Sequence, residues 1–189
     1  MKTETTLSRP VRIVVIGAGN RAHKYLEYAR RNPEQLRLAA IVEVNDLRRR
    51  AMADAFGLPD KYCYAHYDDF FAERLDADMV LISTPENAHF DPAVKAIDAG
   101  YHVLLEKPIA QRLDECREIA RCARRRGVLV GVCHVLRYHP YFAKIRELVA
   151  SGRLGHVVSV NHTASVGLDR ATHSYVRGIF RRESEANPI

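Results

Sequence analysis

The sequence predicts an α/β fold: a doubly wound parallel sheet followed by the beginning of a second α/β (α+β) domain. Three observations carry this. Short, nearly continuous apolar runs alternate six times with segments of helical periodicity. The first run ends in Gly17-Ala18-Gly19-Asn20-Arg21-Ala22, a small-residue turn that opens a helix. Polar residues gather where the later runs end, and in an open parallel sheet ligands bind outside the carboxyl ends of the strands.

Val11 to Ile16 is the first strand. The helix after the turn carries Ala22, Tyr25, Leu26 and Ala29 at i, i+3, i+4 and i+7, one stripe that can lie on a sheet. Asn32-Pro33 closes it, because a residue before proline is pushed out of the helical region. Leu36 to Val44 is a second strand, apolar from Leu38 through Val42, as burial on both faces requires. Leu47, Ala51, Ala55 and Leu58 predict the next helix face, ended by Gly57 and Pro59. Lys61 to His66 is a short third strand, and Asp68 to Leu75 a short helix or turn carrying Phe70, Phe71 and Leu75 inward.

Asp78 to Ser83 is the fourth strand. Asp91 is the expected N-cap of the following helix, with Pro92 at its first position, Val94 and Ile97 buried and Gly100 just past its end. Tyr101 to Leu105 is the fifth strand. Leu113, Cys116, Ala120 and Ala123 predict the next helix face, Arg124 to Arg126 suit its negative dipole end, and Gly127 stops it. Val128 to Cys133 is the sixth strand. Then the pattern changes. Pro140 opens a helix with Phe142, Ile145 and Val149 inward, and Val157 to Ala164 alternates, the expectation for a strand of a new, one-sided sheet. The division that follows is an N-terminal tail over 1–10, a doubly wound domain over 11–133, and the start of a second domain over 134–189.

The 189 residues make one large domain, or one domain and part of another. The net charge of +6 is moderate, and the arginine runs Arg48 to Arg50 and Arg124 to Arg126 fall on predicted helices, so solvated helix faces are expected rather than a nucleic-acid surface. The four cysteines, Cys63, Cys116, Cys122 and Cys133, form no C-x-x-C pair, which fits reduced thiols and a cytoplasmic protein. No apolar run is long enough to cross a bilayer, and the tail lacks the apolar segment of a secretion signal. The histidines have no partners at ligand spacing, so no metal site is expected.

Gly17, Gly19 and Ala22 satisfy G-x-G-x-x-G/A, in which small residues allow a sharp turn, close approach of backbone to a pyrophosphate, and tight helix–strand packing. The helix N-terminus adds N–H donors and a positive dipole end. Glu43, ending the second strand, is placed to accept the ribose hydroxyls of a dinucleotide and to repel a 2′-phosphate, favouring NAD; Arg48 and Arg49 keep NADP open.

Gly17-x-Gly19, Arg21 with Ala22 and His23, Thr84-Pro85 with Asn87 and His89, and Glu106-Lys107-Pro108 after the fifth strand together resemble the Gfo/Idh/MocA oxidoreductases. These are NAD(P)-dependent Rossmann-fold enzymes acting mostly on sugars and cyclitols. The resemblance runs from about residue 11 to about 163, and His173 to Gly178 is similar to an uncharacterised branch of the family. It implies that Gly17, Ala18, Gly19, Asn20, Arg21, Ala22, Glu43, Thr84, Pro85, Asn87 and His89 line the cofactor. Glu106 and Lys107 would face the nicotinamide and a small sugar or polyol, and His134, Arg137 and Tyr138 would begin the substrate contacts. Members of the family are longer, homo-oligomeric, two-domain proteins whose second domain supplies an Asp-x-x-x-His motif. No such motif follows Ala164, so a truncated member is expected, with an NAD(P)-binding domain over 11–133 and an incomplete substrate domain over 134–189.

Oxidising a secondary alcohol removes a hydroxyl proton as the carbon gives up hydride. A free lysine, with a pKa of about 10.4, is a poor base near neutrality, and a neighbouring cationic nicotinamide would make Lys107 a better one. Two other readings use the same turn. A non-catalytic dinucleotide-binding fragment needs no substrate domain. A methyltransferase binding S-adenosylmethionine leaves Glu106-Lys107-Pro108 without a role.

Overall fold

β1 (Val11–Ile16) lies at the centre of the sheet, and its residues alternate between two separate cores. Val14 and Ile16 face one, Ile13 and Val15 the other, so the strand must be apolar throughout. The computed structural model describes residues 8–165, 167, 168 and 172. Along the chain, β1 is followed by α1 (Asn20–Arg31), β2 (Leu36–Val42), α2 (Asp46–Phe56), β3 (Cys63–Tyr64), α3 (Tyr67–Glu73) and β4 (Met79–Ile82). Then come α4 (Phe90–Asp98), β5 (His102–Leu105), α5 (Leu113–Arg126), β6 (Val130–Val132) and α6 (Pro140–Ala150). The six strands are parallel in the order β3-β2-β1-β4-β5-β6, the doubly wound Rossmann arrangement that was expected. The order reverses between β1 and β4, which opens a crevice at their carboxyl ends.

One face of the sheet packs Phe70 of α3, Ala93, Ala96 and Ile97 of α4, and Ile119 and Cys122 of α5. The other packs Ala22, Leu26 and Ala29 of α1 and Met52 of α2. Each fully buried large side chain here contributes roughly 1.5–3 kcal/mol by leaving water.

Four helix faces or starts differ from expectation. In α6 the expected inward residues Ile145 and Val149 are exposed and Phe142 only half-buried, because the helix joins neither core. In α2 the side toward the sheet is Met52 and Ala53, with Phe56 partly covered; Leu47 is 78% exposed and Ala51 and Ala55 face solvent. The helix is capped by Asn45, immediately past the end of β2, so its first turn lies beyond the sheet and only its later turns can pack. In α5 the buried positions are Ile119 and Cys122 with Cys116 and Ala123 alongside, while Leu113 and Ala120 are exposed. Burying the larger Ile119 rotates the helix away from the alanine stripe. α4 starts at Phe90 with His89 at the N-cap, which puts Pro92 at the third position, where its missing N–H costs nothing. Asp91 pairs with Lys95 at 3.0 Å instead of capping.

The arginines that end α5 act as expected of a solvated helix end: Arg126 holds Asp98 of α4 at 2.9 Å. β3 and β6 are shorter than predicted, and residues 157–164 form no strand and are exposed. Alternation marks a face, but a strand also needs a neighbour to pair with.

At the opposite end of the sheet, Asp78 accepts the Arg12 N–H at 2.7 Å and both terminal nitrogens of Arg9, at 2.7 and 2.6 Å. The Arg9 guanidinium holds the Asp78 carboxyl below the ordinary carboxylate range. A depressed folded-state value stabilises above the unfolded value and is lost as pH falls through the folded one. Asp78→Asn should therefore lower the melting midpoint by about 2–4 °C at pH 7. The gap between variant and wild type should narrow as pH falls from about 4, the unfolded value, and close once pH has passed below the depressed folded value, where the wild-type carboxyl is protonated as well. Thermal denaturation of both proteins across that range checks it.

Candidate functional site

The crevice is built from the residues that end β1, β2, β4 and β5. Gly17 turns the chain out of β1 at φ +94°, its N–H donating to the Val42 carbonyl at 2.8 Å. A Cβ there would sit 2.9 Å from the carbonyl carbon and oxygen of Ser83 and from the Thr84 nitrogen, so the turn is packed backbone against backbone on the end of β4. The Ser83 hydroxyl fastens the contact, donating to the Gly17 carbonyl at 2.7 Å. Gly19 differs: a Cβ on it would meet nothing within 4 Å. That open space lies at the N-cap of α1, which has neither a capping side chain nor an acidic residue in its first turn. Each other described α-helix has one or the other. Ala22, fully buried, seats α1 on the sheet, while Asn20 is exposed and Arg21 half-buried. Open backbone N–H groups, a missing Cβ and no competing carboxylate fit a pyrophosphate.

Glu43 is buried, and both carboxylate oxygens are engaged: one accepts the Ala18 N–H at 2.7 Å, the other the Asn45 N–H at 2.9 Å. The side chain thus braces the glycine turn as well as standing at the end of β2. Arg49 donates to the Glu43 carbonyl at 2.6 Å and to Asp46 at 2.7 Å, so it is committed within α2, whereas Arg48 is exposed.

After β4, Thr84 donates its hydroxyl to the Ala88 carbonyl at 2.9 Å, and the Ala88 N–H reaches the Pro85 carbonyl at 2.9 Å, closing a compact loop with Pro85 and Asn87 on its outside. His89 is 1% exposed. Its ring lies between the Pro108 carbonyl, 2.8 Å from Nδ1, and the Thr84 carbonyl, 3.0 Å from Nε2. It is buried, with both ring nitrogens on main-chain carbonyls.

Glu106 ends β5 and is 6% exposed. One oxygen accepts the Tyr25 hydroxyl at 2.6 Å and faces Arg21 Nε at 3.5 Å; the other accepts the Lys107 N–H at 2.9 Å. Burial, with Cys133 and Glu106 alongside, pushes the Tyr25 hydroxyl well above the ordinary tyrosine value, so it remains a donor to Glu106. Burial also pushes up the Cys133 thiol, leaving it unsuited to act as a nucleophile. Lys107 is exposed, and its ammonium has no partner among the described residues; the bond to Pro108 is cis.

Tyr25 was expected only as part of the apolar stripe. The missed signal was its place one helical turn past Arg21, which puts both side chains on one face within reach of a single carboxylate. His134, Arg137 and Tyr138 lie beyond the end of β6, the last two within a 3₁₀ turn over Val135–Tyr138. They are exposed, and among the described residues no hydrogen bond or ion pair links them to Glu106 or Lys107. No group of three or more His, Cys, Asp or Glu among the described residues could hold a metal ion. No described helix is long and apolar enough to cross a membrane.

A family model described as "Oxidoreductase family, NAD-binding Rossmann fold" (GFO_IDH_MocA) matches residues 11–134. The chain is 32% identical over 150 residues to the uncharacterized oxidoreductase ORF334 of Rhizobium meliloti, covering 79% of this chain and 44% of that protein. It is 36% identical over 130 residues to D-xylose 1-dehydrogenase (NADP(+)) 2 of Haloferax volcanii, covering 69% and 39%. Among solved structures, an inositol dehydrogenase homolog from Azotobacter vinelandii, complexed with NADH and myo-inositol, superposes with a TM-score of 0.69 at 25% identity, covering 80% of this chain and 42% of that one. The chain therefore spans less than half the length of the relatives it matches.

Proposed function

The chain belongs to the Gfo/Idh/MocA oxidoreductase family, and from that premise we propose that it binds NAD(H) in the crevice between β1 and β4 and serves hydride exchange with a sugar, polyol or cyclitol alcohol. The observation that carries this reading is the set of bonds joining four strand ends around one open helix N-terminus: Ala18 to Glu43, Ser83 to Gly17, and Tyr25 and Arg21 to Glu106. In this reading the N–H groups opening α1 and the bare Cα of Gly19 receive the pyrophosphate. Glu43 offers its remaining lone pairs to the adenosine ribose, and its charge beside the committed Arg49 favours NAD over NADP. When bound, the nicotinamide supplies hydride transfer.

Lys107 is the proton-exchanging group, reaching the substrate hydroxyl through Nζ. Glu106 holds the lysine backbone and ties it to α1, so that phosphate site and lysine keep a fixed relation. The substrate class is supported by what the relatives are named for. His134, Arg137 and Tyr138 contact substrate in this reading only with the help of a second domain beginning near residue 134, and homo-oligomer assembly belongs to that domain. A cytoplasmic setting accords with four cysteines that are all free thiols.

Fluorescence titration with NADH and NADPH tests the cofactor reading. NADH should bind at least about tenfold more tightly, a difference of about 1.4 kcal/mol. Glu43→Ala should weaken NADH by about tenfold or more and narrow the preference. Absence of NADH binding by the wild-type chain would remove the reading at its root.

A further inference from the structure

β4 and β5 are neighbours in the sheet, but their ladder ends where the Glu106 N–H donates to the Ile82 carbonyl at 2.9 Å. Past that bond the two backbones separate into loops, Ser83 to His89 on one side and Glu106 to Ala110 on the other. Each carries residues of the candidate site, Thr84 and Pro85 on the first and Lys107 on the second. The His89 ring spans the gap, with Nε2 on the Thr84 carbonyl and Nδ1 on the Pro108 carbonyl. The rest of the residue is equally fixed: its carbonyl accepts the Ala93 N–H at 3.2 Å, which roots the ring at the start of α4.

A buried polar ring is retained at a cost unless its nitrogens are satisfied. Here the satisfying groups are main-chain carbonyls of two loops that the sheet leaves untied. A neutral imidazole donates from one ring nitrogen, so it hydrogen-bonds one carbonyl and meets the other by packing, while an imidazolium donates to both; the buried ring fills the gap between the loops either way. We propose that His89 is a positioning residue, not a cofactor ligand: it fixes the spacing between the Thr84 loop and the Lys107 loop, and with it the seat of the nicotinamide half of the dinucleotide. The inference rests on the crevice being an NAD(H) site. It separates the adenosine half, held by the glycine turn and Glu43, from the half that His89 governs.

The separation gives the test, with NADH and ADP-ribose as probes of the wild-type chain and of His89→Leu, which fills the volume but donates nothing. ADP-ribose affinity should stay within about threefold of wild type, while NADH affinity falls by about tenfold, the cost of one hydrogen bond to a positioned group. The emission of bound NADH should also lose its enhancement, because it reports the surroundings of the nicotinamide ring. His89→Gln, whose amide can still donate, should recover part of both signals. A shared loss of NADH and ADP-ribose affinity would mark a general effect on the fold and overturn the proposal, as would no loss of either. If His89→Leu does not fold, His89→Asn carries the same test, since the shorter amide reaches only one carbonyl, and wild-type NADH affinity and emission in that variant would overturn the proposal. Wild-type chain that binds ADP-ribose but not NADH removes the nicotinamide seat itself; failure to bind either removes the underlying site.

Discussion

Gly17→Ala should destabilise the domain by about 2–4 kcal/mol and abolish NADH binding. Two costs coincide at this position. The backbone sits at φ +94°, which a residue with a Cβ adopts only under strain. The added methyl would also lie 2.9 Å from three main-chain atoms of Ser83 and Thr84. Those atoms cannot withdraw cheaply, because the Ser83 N–H is bonded to the Ile16 carbonyl at 2.9 Å and its hydroxyl to the Gly17 carbonyl. Gly19→Ala is the matched control: its Cβ meets no protein atom, so the melting midpoint should move by no more than about 2 °C, while NADH affinity drops by about tenfold or more through crowding of the pyrophosphate seat. Urea denaturation and NADH titration of the two variants check the pair. A Gly17→Ala protein as stable as wild type would show that β1 and β4 do not meet as described.

The second large effect belongs to Lys107. In whatever length of the chain turns over a sugar or polyol from a substrate panel, Lys107→Ala should reduce kcat by about 10²–10⁴-fold, the range for removing a general acid or base. NADH affinity and stability should barely change, because the side chain is exposed and unpaired among the described residues. Steady-state kinetics beside a binding titration reads both quantities. Near-normal kcat in the variant would move the proton-exchanging role to another group.

The sheet was legible because its strands are buried on both faces: continuous runs such as Val14 to Ile16 and Val80 to Ile82 have no other stable place. Gly17 and Ala22 were legible because each packs where only a small residue fits, Gly17 against the Ser83–Thr84 backbone and Ala22 against the sheet; the reason for Gly19 lies in the proposed ligand, not in the protein's own packing. Helix faces were less so. Nothing in the spacing of Leu47 tells that its turn of α2 overhangs the sheet, since that depends on where β2 stops and Asn45 caps. Bonds between distant residues were hidden entirely. Glu43 was expected to look outward, but its contact with Ala18 depends on how closely β1 and β2 pair, and the ring of His89 could be placed only once two loops were seen on either side of it.

The Tyr25–Glu106 hydrogen bond joins residues 81 positions apart, and apart from Tyr25's contact with Cys133 the bonds around the crevice close between Ile16 and Pro108. Inheritance can therefore act on the two ends of the gene at different tempos. On the proposed reading, in which substrate contacts begin after β6, changes there retune the choice of alcohol without unsettling the cofactor seat, and recombination near that point joins an intact seat to a foreign selector. Drift at Tyr25 or Arg21, by contrast, is penalised through Glu106, and such positions should change slowly among descendants.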